Sequence, residues 1–253
     1  MYGQALARLL PDSGKLAARL REAALETLSP TRCAACERPG ALLCEQCRNA
    51  MVRIDPELAC PRCGAPFGSM LCTECRGEET DLDRCLAAAV FDGVPARMVR
   101  AYKDGGERRL AVVIAGLLVD AARDAEEAPS GTYAGLLSAT DAVIFVPATT
   151  EAFHRRGFDH MEAVARAFCK HTEMPLLDAL AKHGRADQRN TGRTGRRAQA
   201  RDAYEVVADV EGQQLLLLDD VITTGATISA AATALKRAGA EHIDALALAR
   251  VWG

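Results

Sequence analysis

The chain has 253 residues, 49% of them hydrophobic, and 31 Lys and Arg against 34 Asp and Glu leave a net charge of −3. That length suits one α/β domain plus a small module, and so slight a negative balance argues against a broad nucleic-acid surface while leaving room for a local basic patch. Neither a secretory signal nor a membrane span is legible, because Pro11, Asp12 and Ser13 break the first apolar run and Arg and Glu interrupt the second.

In chain order, Leu16, Leu20, Leu25 and Leu28 recur at roughly helical spacing and predict an amphipathic helical segment over residues 1–29. Residues 30–76 are built around four CxxC pairs: Cys33 and Cys36, Cys44 and Cys47, Cys60 and Cys63, Cys72 and Cys75. A CxxC turn lets both sulfurs face one ion, and two turns close a tetrahedron with no open position, so eight thiolates suffice for two structural Zn²⁺ sites. A module this short buries little core, and metal binding is expected to supply most of its folding energy. The sequential order suggests one ribbon on Cys33, Cys36, Cys44 and Cys47 and another on Cys60, Cys63, Cys72 and Cys75. An interleaved cross-brace uses the same residues and stays open. Disulfides require an oxidising compartment, for which nothing speaks, and iron–sulfur ligation ranks below zinc. The expected location is the cytoplasm, where reduced thiols are free to bind metal.

After a linker over residues 76–84, the large domain is expected over 85–253. Cys85–Phe91 reads as its first strand, Pro95–Tyr102 and Arg109–Ala125 as helices, and Ala142–Val146 as a buried strand ending at Pro147. Ala152–Lys170 reads as one long helix, His183–Arg201 as a polar, arginine-rich irregular stretch, and Val206 and Val207 as part of a short strand. Ile228–Ala238 is helical and Ile243–Ala249 a last strand. Strands alternating with helices predict an α/β fold with a mainly parallel sheet flanked by helices. Cys85 and Cys169, outside the CxxC pairs, read as small core residues. The five histidines show no ligand spacing beside the cysteines.

The most informative stretch is Leu215–Thr227, LLLLDDVITTGAT. Four leucines suit a strand buried on both faces. Asp219 and Asp220 follow at its C-terminal end, and a Thr- and Gly-rich loop leads into the next helix. Parallel sheets bind ligands just beyond the carboxyl ends of their strands. A Gly-containing turn at a helix N-terminus offers free N–H groups and the positive end of the helix dipole to a phosphate. Carboxylates for hydroxyls and a loop for phosphate describe a sugar-phosphate site.

This segment resembles the phosphoribosyl pyrophosphate (PRPP) motif of type I phosphoribosyltransferases. The resemblance implies that Asp219 and Asp220 hold the ribose hydroxyls, and that Thr223, Thr224, Gly225, Ala226 and Thr227 wrap the 5′-phosphate. The whole chain is similar to the ComF family, which joins an N-terminal double zinc ribbon to a phosphoribosyltransferase-like domain and is associated with DNA uptake in competent bacteria. Cys60-Pro-Arg-Cys63-Gly64, Ala101-Tyr102-Lys103, Val146-Pro147 with Arg156-Gly157-Phe158, and Arg185-x-x-Gln188 carry that similarity. Transfer from PRPP calls for cations on the pyrophosphate, with Mg²⁺ bridging its oxygens. The loop at Pro147 and Ala148, at the end of a parallel strand, is expected to hold the pyrophosphate. Arg155 or Arg156, the latter inside a matched motif, is expected to neutralise it, and the resemblance adds Lys103. Two departures lie outside the PRPP motif: the family's RGFNQ stands here as Arg156-Gly157-Phe158-Asp159-His160, and its Asn before an aromatic stands as Gln199.

Two function classes follow. One is a transferase moving phosphoribose from PRPP onto an acceptor, which no segment identifies. The other is a catalytically silent module that senses PRPP or a related sugar phosphate while its ribbons hold a competence-machinery protein or single-stranded DNA. Product formation from PRPP, or salt-dependent DNA binding lost with the ribbons, separates them.

Overall fold

The structure, a computed structural model, describes residues 30–66, 68, 71–77, 79–182 and 203–252. The helix expected over 1–29 and the arginine-rich stretch 183–201 lie outside the described residues.

Among the described residues the cysteine-rich module contains a short helix, α1 (Glu45–Asn49), and a 3₁₀ turn, Pro56–Leu58, whose start is capped by the Asp55 side chain accepting from Glu57 N–H. The large domain then runs β1 (Arg84–Val90), α2 (Gly93–Lys103), α3 (Leu110–Glu126), β2 (Ala142–Phe145), α4 (Thr150–Arg156), α5 (His160–Thr172), β3 (Leu180–Lys182), β4 (Tyr204–Val206), β5 (Gln214–Ile222), α6 (Ala226–Arg237) and β6 (His242–Arg250). Four strands form a parallel sheet in the order β1-β6-β5-β2, and β3 and β4 form a separate antiparallel pair.

β5 is interior because its leucines leave it no other place. Leu215–Leu218 pair with Ala142–Phe145 on one side and with Ile243–Leu246 on the other, and all four are at most 1% exposed. α3 and α5 pack on each other and on the sheet, and α6 packs on β5, β6 and β4. Helices thus flank the sheet, and the C-terminal end of its central strand opens among helix ends and loops.

The predicted helix over 152–170 is two helices. Gly157 adopts φ +72°, a left-handed conformation that ends α4, and Asp159 starts α5 by accepting from the N–H groups of Met161 and Glu162. The short strand expected around Val206 and Val207 lies at Tyr204–Val206. Its partner β3 has three residues, too few to show a period.

The cysteine-rich module lies against β1, an outer strand of the sheet. Ile54 N–H donates to Ala88 O at 3.2 Å, Val90 N–H to Val52 O at 2.9 Å, and Cys85 N–H to Pro61 O at 2.7 Å. Cys33, Cys47, Met51 and Ile54 are buried in the same apolar core as the large domain.

Candidate functional site

β5 delivers Asp219 and Asp220 to the edge of the core, and both are buried, at 7% and 5% exposed. Successive strand residues face opposite sides of a sheet. Asp220 therefore turns toward α2 and α5, where the Lys103 ammonium pairs with its Oδ2 and His160 Nε2 lies 2.7 Å from the same oxygen. Asp219 Oδ1 accepts from the Asp220 N–H at 2.9 Å. Burial first, then the neighbouring Asp220 charge, pushes the Asp219 carboxyl up to about 7. Burial works the same way on Asp220, but the His160 hydrogen bond and the Lys103 charge prevail and hold it down. The two neighbouring carboxyls are thus shifted in opposite directions, a separation typical of functional carboxylate pairs.

Beyond Ile222 the chain enters the Thr and Gly loop. Thr223, Thr224, Ala226 and Thr227 are exposed, and Gly225, at φ +78°, is the residue that begins α6. Gly225 has no side chain with which to cap this helix and the first turn carries no acid, so no negative charge offsets its dipole end. Ala226 N–H reaches Thr224 Oγ1 at 3.4 Å. The five loop residues therefore sit directly beside the acidic pair, as their order in the chain requires.

The residues expected at the pyrophosphate behave differently from one another. Lys103, at the end of α2, spends its charge on Asp220. Arg156 Nε donates to Lys103 O at 3.2 Å, and its Nη1 lies 3.4 Å from His160 Nδ1. Arg108 lies over the Phe158 ring at 4.4 Å and donates to Arg156 O at 3.3 Å. Pro147 and Ala148 follow β2, and the Ala148 N–H is already given to Asp159 Oδ2 at 2.7 Å. Lys103, Arg156 and the acidic pair thus form one network, while the Ala148 amide is occupied by a carboxylate.

Sequence reasoning set positions 159 and 160 apart from the motif, and the structure brings both into it. His160 touches Asp220, and Asp159 ties the loop after β2 to the start of α5. The Tyr102 hydroxyl fixes this start by donating to His160 O at 2.6 Å. The signal lay in Asp159 with Glu162 three residues on, a helix-start pattern inside an apparently continuous helix.

The eight CxxC thiols gather sequentially: the sulfurs of Cys33, Cys36, Cys44 and Cys47 lie within 4.8 Å of one another, as do those of Cys60, Cys63, Cys72 and Cys75. Cys36 and Cys44 sulfurs are 3.7 Å apart, as are those of Cys63 and Cys72. Tetrahedral bonds of about 2.3 Å require an edge of about 3.8 Å, so both clusters fit Zn²⁺. None of these cysteines is in a disulfide. Burial opposes ionisation, yet amide donors led by Cys44 and Cys72 bring the Cys33 and Cys60 thiols down to about 6 and 7. Cys85 and Cys169 are core residues, and burial pushes the Cys169 thiol up to about 11 and Cys85 higher still.

Comparison with known proteins agrees with the two modules. Residues 24–79 match the Double zinc ribbon domain family, and residues 153–251 match the Phosphoribosyl transferase domain family. The DNA utilization protein YhgH of Escherichia coli O157:H7 is 25% identical over 229 residues, which span 87% of this chain and 97% of that protein. Competence protein F of Haemophilus influenzae is 24% identical over 215 residues, 82% of this chain and 90% of its own. Competence protein ComFC of Streptococcus pneumoniae is 24% identical over 211 residues, 82% and 87% respectively. No helix among the described residues is long and apolar enough to cross a membrane.

Proposed function

The chain belongs to the ComF family, and from that premise we propose that it binds PRPP at the end of β5 and acts as a phosphoribosyltransferase-type protein in DNA uptake or DNA metabolism. One observation carries the reading: two buried, adjacent carboxylates at the C-terminal end of a central parallel strand run directly into an exposed loop at a helix start that carries no acid. Asp219 and Asp220 would take the ribose hydroxyls, and the N–H and hydroxyl groups of residues 223–227 the 5′-phosphate. Lys103 is poised to leave Asp220 for a ligand phosphate, with His160 keeping that carboxylate oriented and Arg156 adding positive charge behind it. Breaking the bond from ribose C1 to pyrophosphate places positive charge on the ring and negative charge on the leaving group, which fixed carboxylates and cations stabilise. Among the described residues no three metal-ligating side chains converge at the acidic pair. The described residues thus offer Mg²⁺ no cage, and the ion would arrive with the phosphates.

A specific contact favours the second, non-catalytic reading. The Ala148 N–H that a pyrophosphate would need is held by the Asp159 carboxylate, so release of Asp159 is required before that loop can receive an anion.

Calorimetric titration with PRPP and Mg²⁺, beside the Asp219→Asn/Asp220→Asn double variant, tests the proposal. Micromolar binding, about −8 kcal/mol, abolished in a folded double variant is the expected result. Equal affinity in both proteins removes the ribose assignment, and no binding by the zinc-loaded wild type removes the ligand.

A further inference from the structure

β6 ends on a cation buried between the second cysteine cluster and the phosphate loop. Arg250 is 4% exposed. Its Nε donates to the carbonyl of Cys63 at 3.1 Å, and its Nη1 donates to Ile222 O at 3.3 Å, to Thr223 O and to Val251 O at 2.7 Å. The carboxylate facing it is Glu74, 3.9 Å from Nη2 and itself 70% exposed. A guanidinium remains charged in proteins and presents its donors in a rigid planar fork. Burying one is costly unless carbonyls or carboxylates satisfy it. Here the satisfying groups come from two places: a knuckle of the second cluster, and the point where β5 becomes the loop.

The knuckle has little slack with which to absorb a change. Gly64, directly after Cys63, has φ +68°, and a Cβ there would lie 3.1 Å from Ala87 N and 3.2 Å from Leu86 C. Pro61 O, two residues before Cys63, accepts from Cys85 N–H at 2.7 Å. Cys63 contributes its thiol to the cluster and its carbonyl to Arg250. A knuckle that relaxes on losing its metal therefore withdraws an acceptor from Arg250, whose Nη1 holds the Thr223 carbonyl beneath the loop and adds to the Val251 N–H already given to Ile222 O at 2.9 Å.

We propose that Arg250 is a positioning residue that ties metal occupancy of the Cys60, Cys63, Cys72 and Cys75 cluster to the conformation of the 223–227 loop, and thereby tunes binding of a phosphorylated sugar there. The tie between cluster and loop stands by itself; its effect on the ligand rests on the proposed PRPP site. Coupling of this kind is reciprocal, so a ligand that fixes the loop also raises the second cluster's affinity for its metal by the same factor.

Amide hydrogen exchange on the full chain tests the tie without any ligand. Four samples form a cycle: zinc-loaded and chelator-treated wild type, and zinc-loaded and chelator-treated Arg250→Met. Peptides covering 222–229 are expected to exchange about tenfold faster after chelation of the wild type, and about as fast in zinc-loaded Arg250→Met. Chelation then adds nothing further in the variant, the non-additivity expected of groups acting as one unit. α5 is unchanged on substitution. Arg250→Lys, which keeps the charge but not the fork, lies between and serves where Arg250→Met does not fold. Additive effects, an unmoved loop, or faster exchange throughout the variant each overturn the tie. PRPP with Mg²⁺ is then titrated into the same zinc-loaded proteins, with about tenfold weaker binding expected for Arg250→Met. Wild type that shows the exchange cycle without binding PRPP removes the ligand and keeps the tie. Binding of PRPP with no response in the loop does the reverse.

Discussion

Asp219 holds its proton to a higher pH when folded than when unfolded, because burial and the Asp220 charge raise its carboxyl from 3.8 to about 7. The stability this contributes is complete below about pH 4 and is lost as pH rises through about 7. Asp220 has the opposite sign: its folded value is depressed, so its contribution is present at neutral pH and disappears only in strong acid. Asp219→Asn keeps an oxygen to accept the Asp220 N–H and removes the buried charge. Its expected effect is therefore a protein more stable than wild type at pH 8, by on the order of 2 kcal/mol, with the difference shrinking toward pH 4.5. Denaturant melts at the two pH values check this, and a difference that does not change with pH would mean the raised carboxyl is not where the strain resides. A stabilising change that destroys binding is what a functional site predicts. The acidic pair was legible from the sequence because its two members are neighbours in a strand with a strong apolar signature. His160 was not, since 60 residues separate it from Asp220 and no local pattern encodes their meeting.

At the scale of elements, the break between α4 and α5 is what builds the site around those residues. Gly157 supplies a left-handed turn that a side chain would strain, and Asp159 caps α5 while holding the Ala148 amide. Asp159→Ala removes three accepted hydrogen bonds at once and should cost about 1–2 kcal/mol. Asp159→Asn, which can still cap, should cost a few tenths. Urea unfolding of the two variants distinguishes them, and equal stability would show that the cap contributes nothing. The same pair reports on function, since freeing the Ala148 amide should strengthen anion binding in the loop after β2 if the Asp159 carboxylate blocks it. Helical periodicity ran through this break because the apolar positions on either side stay nearly in phase. Turn chemistry at Gly157 and the Asp159 and Glu162 pair carried the information that periodicity did not.

For the whole molecule, the decisive relation is between the cysteine-rich module and the sheet. Four CxxC pairs announce a metal module and the leucine strand announces a sheet, but no pattern says that residues 52–54 lie along β1. That contact depends on groups far apart in the chain, and backbone amides carry no sequence signature. Its consequence is that the module covers a sheet edge: β1, reading RCLAAAV, gives the Cys85 and Val90 amides and the Ala88 carbonyl to residues of the module. An uncovered edge of this composition is a template for pairing with another chain. Metal analysis should return about two zinc per chain. Removing them takes away most of what folds residues 30–77 and bares β1. Zinc-free protein is therefore expected to associate with a steep concentration dependence, while the zinc-loaded form keeps one size at the same concentrations. Light scattering before and after chelation, and again after zinc is restored, measures this. Reversal on restoring zinc would place the protection in the ribbons. A zinc-free chain that remains dispersed would mean that β1 needs no cover, and the ribbons would then serve the loop, through Arg250, rather than the edge.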